Sequence, residues 1–335
     1  MIRIELDEAT LARTRLATSP LWETVNSLFL LDRNRDSVPW PYESWARQAR
    51  DVVAAMGPDS ALHRYFGGSW LPDFLMPLPP GPAPTFEEEL AAVRATPAEV
   101  VEAQLPRYTS RMDTRPLQRF RERREEAFAE LADDLAAYHR AAIAPWWPAM
   151  RAALDEEVLH RARALATAGP DALLADLHER VRWQPPILTL VKPVEQSFKA
   201  VEQRLLLIPL IFSRGGLTCS TDDPDVVAVS YQARGAVLLA DSPRDAKAVD
   251  NRLAILVGRT RATVLRALAR PTTTAGLARE LGLAPSTVSE HLTALCAAGV
   301  VSRRRVGRRV LYGLDPAGVA LVTLITDDVS RHHTA

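Results

Sequence analysis

The stretch from Gly258 to Leu314 constrains this chain more than any other, because glycine and proline cut it into three short helical segments followed by two strand-like runs. Residues 260–270 (TRATVLRALAR) place Val264, Leu265 and Leu268 on one helical face and stop at Pro271. Thr272, Thr273 and Thr274 offer caps for a second helix, Ala275–Leu281, which ends at Gly282. A glycine there permits the left-handed backbone of a helix stop. Pro285 suits the first turn of a third helix, which runs through STVSEHLTALCAAG to Gly299. Val288, Leu292 and Leu295 recur at i, i+4 and i+7 and form its inward face. Two such helices joined by a tight glycine-containing turn make a helix-turn-helix.

The outward side chains of the third helix, Ser286, Thr287, Ser289, Glu290 and Thr293, are small and rich in hydroxyls. Such a surface suits a helix pressed into a phosphate-lined groove. Next come Val300–Arg305, a turn through Val306-Gly307-Arg308, and a return strand over Arg309–Leu314. Five arginines sit on this hairpin, at 303, 304, 305, 308 and 309. A solvated hairpin mixes charge signs to limit repulsion, so the accumulation points to neutralisation by phosphates. Net charge makes the same point: residues 259–312 carry ten arginines against Glu280 and Glu290, a balance of +8, within a chain of zero net charge. The remainder is therefore acidic by the same amount, and a single basic segment on an acidic body suggests a localised polyanion contact. Together these segments predict a winged helix-turn-helix that binds double-stranded DNA.

The run TTTAGLARELGLAPSTVSEHLTALCAAGVVSRRRVGRRVLYGL resembles the winged helix of the ArsR-type family of bacterial repressors. The likeness lies in the LARELGL helix and turn, the STVSEHL recognition-helix pattern, AAGVV, and the RRRVGRRVLY wing. It implies a homodimer whose recognition helices enter successive major grooves of an inverted-repeat operator. Carried over by position, it makes Thr274, Ser286, Thr287, Ser289, Glu290 and His291 the candidates on the helices. Arg303, Arg304, Arg305, Arg308 and Arg309 are the candidates on the wing. Glu290 departs from the basic or neutral residue usual there; a carboxylate among phosphates is costly unless it accepts a hydrogen bond from a cytosine amino group. The larger part of the chain, with its LARTRLA and PLWE opening, resembles a domain found fused to such winged helices in actinobacteria.

Before residue 242 the texture is different. Of 21 Phe, Trp and Tyr residues, all but Tyr312 lie at or before Tyr231, so an aromatic-rich domain over 1–242 precedes a small domain over 243–335. The boundary is expected at the turn-like Asp241-Ser242-Pro243. Ile2–Leu6 alternates as a strand, and the chain then reads as mainly helical to about Arg182. Proline-rich Met76–Pro84 is an extended loop, after which Thr85 and Glu88 have capping-box spacing. Ile187–Val191, Leu205–Phe212, Val226–Tyr231 and Ala236–Leu239 read as strands. The N-terminal strand is expected to join them, giving an α+β class: a mainly helical N-terminal domain ending in strands, then the winged helix. Ala246–Val257 is a helical connection between the two, and Ala317–Ile325 is an apolar helix suited to a dimer partner.

Other functions leave weaker traces. The start lacks a basic and apolar leader, and no apolar run reaches the length of a membrane span, so a cytoplasmic protein is expected. Cys219 and Cys296 are too few for a disulfide framework or thiolate cluster, Ala275–Leu281 has no cysteine, and His332-His333 stands in a terminal tail. No metal or cofactor is expected. No Walker loop, dinucleotide fingerprint, HExxH or nucleophile elbow occurs. Gly215-Gly216 reads as a turn; His160, His178 and Glu179 lie on charged helices, and His139 near Trp146-Trp147 is explained equally by packing. The chain is therefore not expected to be an enzyme. All seven tryptophans (22, 40, 45, 70, 146, 147 and 183) fall in the large domain. They line either a pocket for a small apolar effector or, as large aromatics more commonly do, a core or interface. The alternative to a regulator is an interacting or enzymatic N-terminal body that uses the winged helix for docking.

Overall fold

A computed structural model describes residues 1–66, 71–109, 112–175, 177, 180–192, 194–214, 216–240, 253–254, 256–268, 271–306 and 309–327, with backbone alone at 259, 306, 309 and 323–327. The chain divides into two compact units. The first comprises residues 1–39 and 46–233; the second comprises residues 40–45 and 234–335. The boundary expected at Asp241-Ser242-Pro243 lies outside the described residues, as does part of the Ala246–Val257 connection.

The first unit opens with β1 (Ile2–Leu6), α1 (Glu8–Ala12), β2 (Arg15–Leu16) and α2 (Pro20–Arg33). There follow α3 (Glu43–Met56), α4 (Ala61–Tyr65), α5 (Phe86–Arg94), α6 (Ala98–Tyr108), α7 (Arg119–Glu122), α8 (Arg124–Tyr138) and α9 (Trp147–Ala175). The capping box at Thr85 and Glu88 forms as the spacing predicts, with the Glu88 backbone N–H donating to Thr85 Oγ1 at 3.2 Å. The last helix breaks at Gly169, whose φ of 78° lies outside the helical region, just before Pro170.

Strands β3 (Val181–Gln184), β4 (Ile187–Leu190), β5 (Gln196–Ala200), β6 (Arg204–Leu210), β7 (Cys219–Ser220) and β8 (Val226–Gln232) complete this unit. They form two four-stranded sheets rather than one, in the orders β3-β4-β1-β5 and β2-β6-β8-β7. The N-terminal strand does join, pairing antiparallel with β4 and parallel with β5. Alternate residues Ile2, Ile4 and Leu6 face a shared core with Leu188, Leu205, Leu207 and Val229. Strand β6 is buried along both faces after Arg204: it pairs parallel with β2 and β8 at its edges, and α1, α2 and α9 pack against it, which accounts for its continuous apolar sequence. The fourth expected strand is a correction: Ala236–Leu239 is a 3-10 turn entered through Gly235 at φ 99°. Four apolar residues are too short for periodicity to separate strand from helix, and the left-handed glycine decides it.

Helix α2 carries the most polar buried surface. Residues 20–31 are all buried, including Glu23, Thr24, Asn26 and Ser27. Each finds partners, as burial demands. Glu23 accepts from the backbone N–H of Ile211 and Phe212 at 2.5 and 3.1 Å. Glu89 of α5 accepts from Ser19 Oγ and from the Leu21 backbone at 2.5 and 2.6 Å, so it serves as a tertiary cap for α2. Desolvation pushes the carboxyl groups of Glu23 and Glu89 up to about 8 and about 7, against the pull of these donors.

In the second unit α10 (Arg259–Ala267), α11 (Thr274–Leu281) and α12 (Pro285–Ala297) precede a hairpin of β9 (Val301–Val306) and β10 (Arg309–Leu314), then α13 (Pro316–Asp327). Its core joins Val264, Leu265 and Leu268 to Leu277, Leu281, Val288, Leu292 and Leu295.

Candidate nucleic-acid interface

The three helices of the second unit are set by the punctuation seen in the sequence. Thr273 is the N-cap of α11, its Oγ1 accepting from the Gly276 N–H at 3.0 Å. Thr274 is therefore the first helical residue, half-buried behind the cap. Gly276 leaves room for Thr272, whose Oγ1 would lie 2.5 Å from an added Cβ. The helix stops at Gly282, with φ 63° and ψ 31°. Pro285 then begins α12, and Val288, Leu292 and Leu295 are buried as one seam. Each such side chain contributes roughly 1.5–3 kcal/mol by leaving water, so this seam fixes which face of α12 turns outward.

That outer face presents Ser286, Ser289, Glu290 and Thr293 to solvent, with Thr287 and His291 half-buried at its margins. Thr293 Oγ1 donates to the Ser289 carbonyl at 2.8 Å, so its hydroxyl is engaged within the helix. His291 is held below the usual imidazole range, first by desolvation and then by the charge of Arg261, while Glu290 opposes both. Glu290 is exposed. Arg261 was not among the candidates drawn from the recognition helix. It is an exposed residue of α10 whose charge reaches α12, and only its place in the arginine count pointed to it.

The hairpin is anchored at its base. Thr272 and Tyr312 exchange backbone hydrogen bonds of 3.0 and 2.8 Å, tying the entry of α11 to β10. On the other side Gly318 of α13 packs so closely that an added Cβ would stand 2.0 Å from the Val300 carbonyl oxygen. From this base β9 and β10 pair in the register Arg303↔Tyr312, Arg304↔Leu311 and Arg305↔Val310. Strand alternation puts Arg303 and Arg305 on the face shared with buried Val301, and Arg304 on the reverse face. Arg303 lines a groove of about 460 Å³ with Thr293, Cys296 and Tyr312, next to the outer face of α12. The arginines thus spread over both faces of the wing. Arg303, Arg304 and Arg305 are exposed, Arg309 opens β10, and Arg308 lies outside the described residues. Among the described residues neither Arg303 nor Arg304 makes a salt bridge.

Residues considered for other chemistry are dispersed. Cys219 and Cys296 are both free thiols. Burial raises each thiol's pKa, with Lys192 opposing at Cys219 and Arg303 at Cys296. No group of three His, Cys, Asp or Glu side chains is placed to hold a metal among the described residues. His178, Glu179, Gly215 and the His332-His333 pair lie outside them. His139 stacks on Phe86 at 3.7 Å, meets Trp147 edge-on at 6.4 Å, and shares a 2.9 Å hydrogen bond with Thr24. Desolvation lowers its pKa to about 4, so it is a neutral core imidazole. Trp22, Trp45 and Trp146 are buried, Trp40, Trp147 and Trp183 half-buried, and Trp70 outside the described residues. No helix among the described residues is long and apolar enough to cross a membrane.

Residues 259–303 match the family described as bacterial regulatory protein, arsR family. That span takes in α10, α11, α12 and the first part of β9. Among curated proteins none matches the chain. A capped helix, a left-handed glycine turn and a helix with a hydroxyl-rich outer face thus coincide with the matched span, and the arginine-bearing hairpin begins at its end. The chain carries an ArsR-family helix-turn-helix domain and is, by that domain, a DNA-binding transcription regulator.

Proposed function

We propose that the chain is a homodimeric, sequence-specific repressor that lays α12 in the major groove and its wing along the adjoining backbone. The observation that carries this reading is the outer face of α12: Ser286, Ser289, Glu290 and Thr293 exposed together, over a seam that leaves the helix no other orientation. Ser286, Thr287, Ser289, Glu290 and His291 read base edges and phosphates, and Thr274 touches backbone at the start of α11. Arg303, Arg304, Arg305, Arg308 and Arg309 meet phosphates or the minor groove. Helix α13 supplies the dimer contact; its apolar sequence and exposed Val319 support this role. Two copies related by a two-fold axis require an inverted repeat with half-sites about one helical turn apart. A ligand of the first unit acts on such a dimer only by favouring one spacing of the recognition helices over another.

Selection of bound duplexes from a random pool by the purified full chain tests the reading. An inverted repeat with half-sites about one turn, roughly 10 base pairs, apart is expected. Recovery of no motif, with binding that disappears as salt rises, would leave only non-specific phosphate attraction and overturn it. Substitution at Ser286 or Ser289 is expected to change the recovered sequence, whereas loss of wing arginines lowers affinity for all sequences alike.

A further inference from the structure

The first unit has a cleft of about 680 Å³ beside the two-residue edge strand β2. Arg13, Arg15 and Arg204 line it together, from the end of α1, from β2 and from the start of β6. All three are exposed, and among the described residues none forms a salt bridge, although Glu202 and Asp225 lie in the same cleft. Two are steered by neutral partners instead. Arg13 Nη1 donates to the Glu202 carbonyl at 2.5 Å, and Arg15 Nη1 donates to the Thr14 carbonyl at 2.8 Å. A carbonyl orients a guanidinium without cancelling its charge, and the carboxylate whose charge Arg13 meets, Asp7, lies outside the cleft lining.

Part of the lining is apolar and stiff. Pro79, Pro80 and Pro82 belong to it, and the Thr18 N–H fixes their loop by donating to the Pro82 carbonyl at 3.0 Å. Leu16 and Leu206 line the cleft as well. The backbone at the rim is also under constraint. Glu202 is a non-glycine residue with positive φ, at 55°, and both its backbone groups are held: the carbonyl by Arg13, and the N–H by Asp7 Oδ2 at 3.1 Å. A left-handed glutamate is unfavourable and persists where its surroundings impose it, commonly at ligand clamps.

We infer that this cleft binds a small organic oxyanion, a carboxylate or phosphate on an apolar body, with the guanidinium groups of Arg15 and Arg204 on the charge and the prolines against the body. An uncharged apolar effector, the class that the tryptophan content suggests, would make no use of these cations. The inference concerns binding alone and holds whether or not the ligand alters DNA affinity.

Titration of the full chain with 1-naphthoate, 1-naphthyl phosphate and neutral 1-naphthamide, followed by calorimetry or ligand-observed NMR, tests it. At least one anion is expected to bind one per chain with a Kd of about 1 mM or tighter, and at least about tenfold more tightly than the amide. The naphthoate and phosphate arms separate a carboxylate site from a phosphate site. In the R15A/R204A variant, which leaves the Arg13 bond to Glu202 intact, anion affinity should fall about tenfold or more, with an unchanged circular-dichroism spectrum. Asp225→Asn should strengthen anion binding, a gain that damaged folding cannot produce. Equal binding of the amide, full binding by R15A/R204A, or no binding of either anion at about 10 mM would overturn the inference.

Discussion

The wing makes the sharpest quantitative claim. Arg304 and Arg305 are both exposed on β9 and point from opposite faces of it. If each neutralises one phosphate, each contributes about 0.9 to the slope of log K against log salt. At about 0.15 M salt that corresponds to roughly 0.7 log units of affinity per contact, or about fivefold. A dimer carries two copies of each arginine. The R304A/R305A variant should therefore lose about 3.6 from the slope and about a thousandfold in affinity at that salt, shrinking to about tenfold near 0.5 M. A monomer on DNA would show half that slope change, about 1.8, and about a thirtyfold loss. Fluorescence anisotropy of a labelled duplex across salt concentrations measures slope and stoichiometry together. A slope unchanged within error would remove these two arginines from the interface. A loss confined to one sequence would mean that they read bases rather than phosphates.

Three further outcomes follow from the packing. Gly282→Val forces a β-branched residue to φ 63°, and should cost about 1–2 kcal/mol in the second unit's unfolding and abolish DNA binding, as urea titration and anisotropy would show. Gly318→Ala would gain helix propensity, yet its Cβ would stand 2.0 Å from the Val300 carbonyl oxygen, so a lower Tm of the second unit is expected. Glu23 and Glu89 have pKa values raised by folding, to about 8 and about 7. Their contribution is complete below the unfolded carboxyl value near 4.5 and is lost as pH rises through 7 and 8. Unfolding of the first unit should thus be easier at pH 8.5 than at pH 6, by on the order of a few kcal/mol, and Glu23→Gln should reduce that difference. A stability independent of pH over this range would refute the assignment.

The amino-acid sequence alone determined the parts of this protein that are local. Capping threonines, Gly282, Pro285 and the i, i+4, i+7 seam of α12 act within a few residues, so the helix-turn-helix, its outer face and the arginine hairpin were legible without coordinates. The capping box at Thr85 was legible for the same reason. What depended on distant partners was not. That the strands part into two sheets is fixed by which edges find neighbours far along the chain. The spread of wing arginines over two faces follows from the pairing register, a property of two strands together. Tertiary structure alone placed Trp22, Trp45 and Trp146 in the core and left Trp40, Trp147 and Trp183 half-buried. It also brought Arg13 and Arg15 onto one cleft with Arg204, nearly two hundred positions away in sequence. Helix periodicity and turn chemistry are written in adjacent residues, but a cleft exists only where remote segments converge, and no short window of sequence records that convergence.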